Sequence, residues 1–235
     1  MEKEQLFKWK HFEPEIILLT VRWYLRYNLS FRNLVEMMEE RGLLMAHTTI
    51  MRWIHQYGPE LDIRIRPHLK PTNDSWRVDE TYIKVKEQWM YLYRAVDSEG
   101  NTIEFHLSKI RDKQAAKDFF KKALQCNHVS EPRVITVDKN PAYPIAIEQL
   151  KKEKSISEGM QIRQQKYLNN IVEQDHRFIK KRIRSMLGLK TFRTAKQIIY
   201  GIEVMHMLKK GHLLQREESV KNEIEFIHRL FGVVS

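Results

Sequence analysis

The spacing of apolar residues over residues 1–60 predicts three helices. Residues 15–27 repeat apolar side chains every three or four positions, as the buried face of a helix requires. A second helix should begin after Ser30, a favourable N-cap residue, and end near Gly42. A third should run from Thr48, or the residue before it, to the Gly58-Pro59 pair, because such a pair commonly ends a helix.

Two short helices joined by a glycine-containing turn match the outline of a helix-turn-helix domain, which we place at residues 1–60. The third helix is expected to turn an apolar side inward and a polar side outward. DNA contacts are expected from that polar side, through Thr48, Thr49, Arg52 and His55. Thr and Arg side chains suit contacts with phosphates and base edges. The alternative is an ordinary packing unit of three helices that binds no DNA.

After this helical region the pattern changes to that of a sheet. Residues 61–75 contain two prolines and no helical periodicity, so we predict a linker there. Residues 76–86, 89–97 and 102–107 are rich in Val, Ile, Tyr and Trp and are separated by short polar breaks. Two tight connections in succession predict a three-stranded antiparallel meander.

The rest of the chain alternates between helical and extended patterns. We predict a helix at 113–125, a strand at 133–138, a helix at 142–152, a strand at 161–164 and a long helix at 170–187. This order predicts a mixed α/β fold. Beyond it, residues 194–210 and 223–234 each carry an apolar stripe. These C-terminal helices would either hold subunits together or pack against their own chain.

The amino-acid composition indicates which class of partner the protein binds. Among 235 residues, 41 Lys and Arg outnumber 30 Asp and Glu, which gives a net charge of +11 and favours a polyanion, nucleic acid ahead of a membrane surface. The apolar run at residues 16–19 is too short to span a membrane, and no apolar leader opens the chain, so we expect a cytoplasmic, nucleoid-associated protein. A single cysteine, Cys126, excludes an intrachain disulfide and a metal site built from several thiolates.

Two aspartates stand where a mixed sheet places reactive groups. Asp79 lies within the first strand, and Asp138 closes the apolar run 134–137. If the first and fourth strands are neighbours, the two carboxylates meet in the middle of the sheet. A third acid from the last helix would complete a site for two divalent cations, and carboxylates suit Mg²⁺ or Mn²⁺. Such a pair of ions supports phosphoryl transfer.

The long helix offers two acids for the third position. At about 100° per residue, Arg177, Lys180 and Arg184 fall within roughly 40° of Glu173. Asp175 falls on the apolar side, so we expect it to form a structural hydrogen bond or ion pair. Glu173 is therefore the expected third acid. The basic residues on its face are expected to receive DNA phosphates.

Several other polar residues are expected to be structural. Glu80 should point to the sheet face opposite Asp79, Asp97 should stabilise a turn, and Asp112 should cap a helix. The histidines, His176 among them, show no ligand spacing and are interpreted as ordinary. The five tryptophans are expected to pack in cores and hinges. Solvated surface charge is the interpretation of Lys181, Arg182, Lys190 and Arg193.

Four stretches of the sequence resemble the DDE transposases of bacterial insertion sequences, and most closely insertion-sequence family six, whose members form cointegrates. They are residues 76–85 (WRVDETYIKV), 89–100 (WMYLYRAVDSEG), 137–143 (VDKNPAY) and 169–180 (NNIVEQDHRFIK). Between Asp138 and Glu173 lie 34 residues, which is the family's spacing for its second and third acids. Lys180 stands seven positions after Glu173, where the family carries a basic residue.

The resemblance implies an RNase H-like catalytic domain with a five-stranded mixed sheet at residues 76–190. The helix-turn-helix domain would precede this domain, and a C-terminal helical region at 191–235 would follow it. Asp79, Asp138 and Glu173 would be the catalytic and metal-binding acids. Mg²⁺ or Mn²⁺, as two ions, would be the cofactor.

The implied activity is cleavage and joining of double-stranded DNA. The protein would bind the terminal inverted repeats of its element, free a 3′-hydroxyl and join it to target DNA, with a replicative outcome. A homodimer or higher homo-oligomer would handle the two ends together, and no membrane is involved. Two alternatives remain: a related RNase H-like integrase or nuclease, and a non-catalytic helix-turn-helix regulator.

Overall fold

The fold is known from a computed structural model, which describes residues 6–165, 170–186, 189–214 and 219–233. The chain divides into two compact units. The sheet unit comprises Leu69–Lys180, and the helical unit comprises Met1–His68 with Lys181–Ser235. No helix among the described residues is long and apolar enough to cross a membrane.

Eight α-helices and five strands account for most of the described residues. The first three helices are α1 (Pro14–Arg26), α2 (Phe31–Glu39) and α3 (His47–Ile65). The sheet unit follows with β1 (Ser75–Val85), β2 (Gln88–Asp97), β3 (Thr102–Ser108), α4 (Lys113–Leu124), β4 (Val134–Val137), α5 (Ala142–Lys152) and β5 (Gln161–Gln164). The last three helices are α6 (Asn170–Ser185), α7 (Phe192–Lys209) and α8 (Val220–Phe231).

The five strands form one mixed sheet in the order β3-β2-β1-β4-β5. β1, β2 and β3 are antiparallel neighbours, whereas β4 runs parallel to β1 and β5 runs parallel to β4. The predicted meander and the predicted neighbourhood of the first and fourth strands are both confirmed. This is the five-stranded mixed sheet that the resemblance implied, and β1 is its central strand.

Helices α4 and α5 cover one face of the sheet. Their apolar residues form a buried core with the sheet that includes Phe119, Phe120, Tyr143, Trp76 and Val78. The start of α4 is fixed by Asp112, whose side chain accepts a hydrogen bond from the backbone N–H of Ala115, as predicted. Because Trp76 and Val78 both face this core, Arg77 and Asp79, which alternate with them along β1, face the opposite side of the sheet.

Helix α3 is longer than its sequence indicates. It continues through Gly58 and Pro59 to Ile65, so the predicted helix end is wrong, and the first five residues of the predicted linker are helical. Gly58 allows a close helix contact, because a Cβ there would lie 2.8 Å from the backbone oxygen of Gln197 on α7. Buried Leu61 and Ile65 continue the apolar face beyond the proline. Tertiary packing therefore outweighs the local tendency to stop.

The C-terminal helices pack within the helical unit. The face of α7 that includes Ile198 and Ile202 is buried, and so are Phe226 and Phe231 of α8. Glu223 of α8 also forms a buried ion pair with Arg22 of α1, with 2.9 Å between Oε1 and Nε. The structure shows these helices packing against their own chain, and their role in holding subunits together stays a prediction.

Arg182 is buried, which contradicts its prediction as solvated charge. Its guanidinium carbon lies 4.4 Å from the centroid of the Tyr24 ring. The guanidinium also donates to the backbone oxygens of Tyr24 and Leu29, which belong to the end of α1 and the turn after it. Burial lowers the pKa of Arg182 to about 10. The side chain thus caps carbonyl groups that the helix end leaves unpaired.

Candidate active site

The strand register brings Asp79 and Asp138 together. In the parallel ladder of β1 and β4, Trp76 pairs with Ile135 and Arg77 pairs with Thr136, a constant offset of 59 residues. The same offset separates Asp79 from Asp138, which follows directly after β4. Asp138, the residue after β4, is therefore placed beside Asp79 of the central strand β1. One oxygen each from Asp79, Asp138 and Glu80 lie within 4.8 Å of one another.

Glu80 belongs to this cluster but is held by structural contacts. The Tyr143 hydroxyl donates to Oε2, and Asn140 Nδ2 donates to Oε1 at 3.2 Å. Arg111 Nε also donates to Oε1, at 2.5 Å. Burial, followed by the negative charge of Glu80, raises the pKa of Tyr143 well above its usual value, so the hydroxyl keeps its proton and donates. Glu80 contacts Tyr143 of α5 and Asp79 contacts His176 of α6, as expected for adjacent residues of a strand, but one oxygen of each carboxylate still reaches the shared cluster.

The donor set of the cluster fits a hard divalent cation. Its ligand atoms are carboxylate oxygens, which Mg²⁺ and Mn²⁺ prefer. Asp79 and Asp138 are each partly exposed, so an ion can reach them. Glu80 is buried and its oxygens already accept three hydrogen bonds. Asp79 and Asp138 are therefore the better candidates for metal ligands.

The structure does not place Glu173 within this three-acid group. Glu173 lies exposed in the first turn of α6. One turn later, His176 is buried, and its Nε2 lies 3.2 Å from Oδ2 of Asp79. Sequence reasoning missed this contact, although the i, i+3 spacing of Glu173 and His176 on one helix face could have indicated it.

A buried ion pair ties α6 to the sheet. Arg94 Nη2 lies 2.6 Å from Oδ2 of Asp175, and both side chains are almost fully buried. Arg94 is the direct cross-strand neighbour of Asp79 in the antiparallel pair of β1 and β2. The structural role predicted for Asp175 is therefore confirmed, and the pair fixes the helix that carries Glu173 beside the central strand.

Of the four residues predicted on the recognition helix, Arg52 is exposed and Thr48, Thr49 and His55 are partly buried. Burial lowers the pKa of His55, which favours its neutral form. The residues predicted to face inward are indeed buried: Ile50, Trp53, Ile54 and Tyr57. On α6, the three predicted phosphate contacts are all exposed: Arg177, Lys180 and Arg184.

The predictions for Asp97 and Trp76 are confirmed, and the prediction for Trp89 is wrong. Asp97 stabilises its turn, since Oδ1 accepts from the backbone N–H groups of Glu99 and Asn101 at 2.9 Å each. Trp76 is buried in the core as predicted. Trp89 is 60% exposed near the tip of the β1–β2 hairpin, so its predicted core position is wrong. The alternation of residues along the chain predicted the strand that carries Trp89. It does not indicate how far the helices cover the sheet.

Comparison with known proteins gives the family. A family profile described as a DDE domain matches residues 73–212. The chain is 37% identical over 204 residues to the transposase for insertion sequence-like element IS431mec of Staphylococcus aureus, which covers 87% of this chain and 88% of that protein. The same identity and coverage hold for the transposase for insertion sequence element IS257 in transposon Tn4003 of Staphylococcus aureus.

Two solved viral structures are similar to this chain. The catalytic core domain of HTLV-2 integrase, in complex with magnesium, has a TM-score of 0.43 and 19% identity, covering 56% of this chain and 84% of that chain. The simian T-cell lymphotropic virus intasome, in complex with the PP2A regulatory subunit B56 gamma, gives a TM-score of 0.40 and 19% identity, covering 55% of this chain and 48% of that chain.

The strand order, the domain match and the relatives define a DDE enzyme, a polynucleotidyl transferase that acts on DNA. The chain belongs to the transposases of insertion-sequence family six.

Proposed function

We propose that this transposase binds the terminal inverted repeats of its element and catalyses both strand cleavage and strand transfer. Asp79, Asp138 and Glu173 are the proposed catalytic acids. The observation that carries the proposal is the juxtaposition of Asp79 and Asp138 where β4 ends beside the central strand. Glu173 would complete the set from the first turn of α6, the helix that contacts Asp79 through His176.

In this proposal Asp79 and Asp138 hold divalent metal, Mg²⁺ or Mn²⁺, with Glu173 as the third ligand. Two bound ions would lower the barrier by stabilising the attacking and the leaving oxygens of a phosphodiester. The protein would contribute by holding these carboxylates in position before the reaction begins. His176 holds Asp79, and the Arg94–Asp175 pair holds α6 in place.

The reaction would proceed in two displacements at phosphorus. Water attacks the phosphodiester at the element's terminus, and the bond from phosphorus to the 3′-oxygen breaks, which leaves a 3′-hydroxyl on the element. That hydroxyl then attacks a phosphate of target DNA. Its oxygen forms a bond to the target phosphorus, and the bond from that phosphorus to the 3′-oxygen of the target strand breaks, which leaves a 3′-hydroxyl on the target. No covalent link between protein and DNA is required. Arg177, Lys180 and Arg184 would bind the flanking phosphates from their exposed positions on α6.

The proposed assembly is a homodimer or a larger homo-oligomer, because two ends of one element must be processed together. The helix-turn-helix domain at residues 1–60 would recognise the end sequence, with Thr48, Thr49, Arg52 and His55 facing the DNA. Cointegrate formation, the replicative outcome, follows from the family resemblance and forms part of the proposal.

Cleavage of a duplex carrying the element's terminal inverted repeat, with and without Mg²⁺, tests the proposal. Asp79→Asn, Asp138→Asn and Glu173→Gln should each abolish cleavage while binding of the same duplex persists. Glu80→Gln is the matched control, since Glu80 lies in the acid cluster but is held by Arg111 and Tyr143. Cleavage retained by any one of the three variants would remove that residue from the catalytic set.

A further inference from the structure

Three aromatic side chains form an exposed surface near the tip of the β1–β2 hairpin. Tyr82 and Trp89 are 47% and 60% exposed, and their ring centroids lie 6.3 Å apart in an edge-on arrangement. Tyr91 is partly buried, and its ring centroid lies 5.3 Å from that of Tyr82. We call Tyr82, Trp89 and Tyr91 the aromatic patch. The β1–β2 register pairs Tyr82 with Tyr91 directly.

The patch lies where the sheet extends beyond its helical cover. Trp76, Val78 and Glu80 occupy alternate positions of β1 and face the core of α4 and α5. The next two positions on this face are Tyr82 and Lys84, and both are exposed. An aromatic ring that stays exposed to water does not gain the favourable free energy of burial. A cluster of exposed rings therefore indicates an interaction surface.

The aromatic patch borders the acid cluster at Glu80, one oxygen of which lies within 4.8 Å of oxygens of Asp79 and Asp138. Tyr82 follows Glu80 by two residues on the same face, a separation of about 7 Å along the strand. Arg111 connects the two regions electrostatically. Burial lowers the pKa of Arg111. The hydrogen bond to Glu80 and the electrostatic attraction of Glu80, Tyr82 and Asp138 outweigh burial and raise that pKa above its usual value. The guanidinium thus stays charged close to both a patch residue and a proposed catalytic acid.

The charges around the patch suit a nucleic acid. Lys84 and Lys86 are exposed at the hairpin end. Glu87, whose Oε2 lies 2.5 Å from Lys84 Nζ, offsets one of these two charges, so a net positive charge remains. Surfaces that bind single strands combine cationic side chains for the phosphates with aromatic rings for the base faces. A base within a duplex hides its faces in the stack, so exposed rings fit a base that has left the stack.

We propose that the aromatic patch stacks against an unpaired base of the DNA strand that the neighbouring acids cleave, and so holds the strand end open. This inference rests on the proposed function, because it takes the substrate at the acid cluster to be DNA. It adds a binding surface for an unstacked nucleotide that the acids alone do not provide.

Fluorescence anisotropy without divalent metal tests this surface independently of cleavage. The probes are a labelled duplex with a short unpaired thymine tail and the same duplex with blunt ends. Wild-type protein should prefer the tailed duplex. Trp89→Leu and Tyr82→Leu should each reduce that preference by roughly 5-fold to 150-fold, the range for one base stacked on one ring. Trp89→Phe should retain most of it, because the ring remains.

Ile145→Ala is the matched control, since it removes an exposed apolar side chain of the same unit that has no ring. A melting temperature for each variant verifies folding, and the Phe and Leu variants at position 89 separate ring stacking from apolar bulk. Equal preference in the wild type and both Leu variants would overturn the inference. A change in the oligomeric state of the Leu variants, measured by light scattering while their DNA preference stays unchanged, would also overturn it. That result would show that the patch is an interface between copies of the chain. If the wild type bound neither duplex, the proposed function itself would fail.

Discussion

His176 Nε2 lies 3.2 Å from Oδ2 of Asp79, although 97 residues separate the two in sequence. A carboxylate can only accept a hydrogen bond, so the Nε2–H of the imidazole must donate. The ring is 4% exposed, whereas Asp79 is accessible from solvent. The contact therefore links the orientation of the central-strand acid to the position of α6, which also carries Glu173.

Removing the His176 ring should impair catalysis through Asp79. We expect His176→Ala to lower DNA cleavage by about 10-fold to 100-fold, the usual effect of losing a partner that orients a metal ligand. The Mg²⁺ concentration for half-maximal cleavage should rise as well. His176→Gln should recover part of both, because its amide can supply an N–H near the same position. A Mg²⁺ requirement unchanged in His176→Ala would show that the contact does not position Asp79.

Breaking the buried ion pair of Arg94 and Asp175 should destabilise the fold. Asp175→Ala leaves the guanidinium buried without its carboxylate, so the free energy of unfolding should fall by about 3–5 kcal/mol in a denaturant titration. Glu148→Ala is the control. Glu148 and Lys152 form a surface pair at 3.0 Å, and its loss should cost about 0–1 kcal/mol. Equal losses in the two variants would contradict this assignment.

Lys180 and Lys181 are adjacent and both exposed, but they point about 100° apart on α6. Lys180 shares the face of Glu173 and should contact a DNA phosphate. Lys180→Ala should therefore reduce the slope of log K against log salt by about 0.9, whatever the DNA sequence. Lys181→Ala should change the slope much less. Identical slopes for both variants and the wild type would mean that this face is only solvated.

Arg52 is the exposed member of the proposed recognition set on α3. If it reads a base, Arg52→Ala should weaken binding to the terminal inverted repeat by about 1–3 kcal/mol and leave binding to random duplex nearly unchanged. The two affinities are compared by anisotropy at one salt concentration. Discrimination between end and random DNA that survives the substitution would locate sequence recognition elsewhere.

The sequence by itself determined the order of the helices and strands and two of the candidate acids. Strand alternation and helix caps are local signals, so β3 begins at Thr102 as predicted and α4 follows its Asp112 cap. The apolar run that ends in Asp138 indicated a strand end, and the meander pattern indicated a central strand with Asp79. These features depend on neighbouring residues, which the linear pattern records directly.

Only the tertiary structure decided which polar and aromatic residues meet. Gly58 does not end α3, because its role is to approach Gln197 closely. His176 is not an ordinary histidine, because its partner is the acid of a distant strand. Trp89 is exposed because the helical cover of the sheet stops short of it. In each case the outcome depends on groups remote in sequence, whose proximity arises from packing and leaves no periodic signal in the chain.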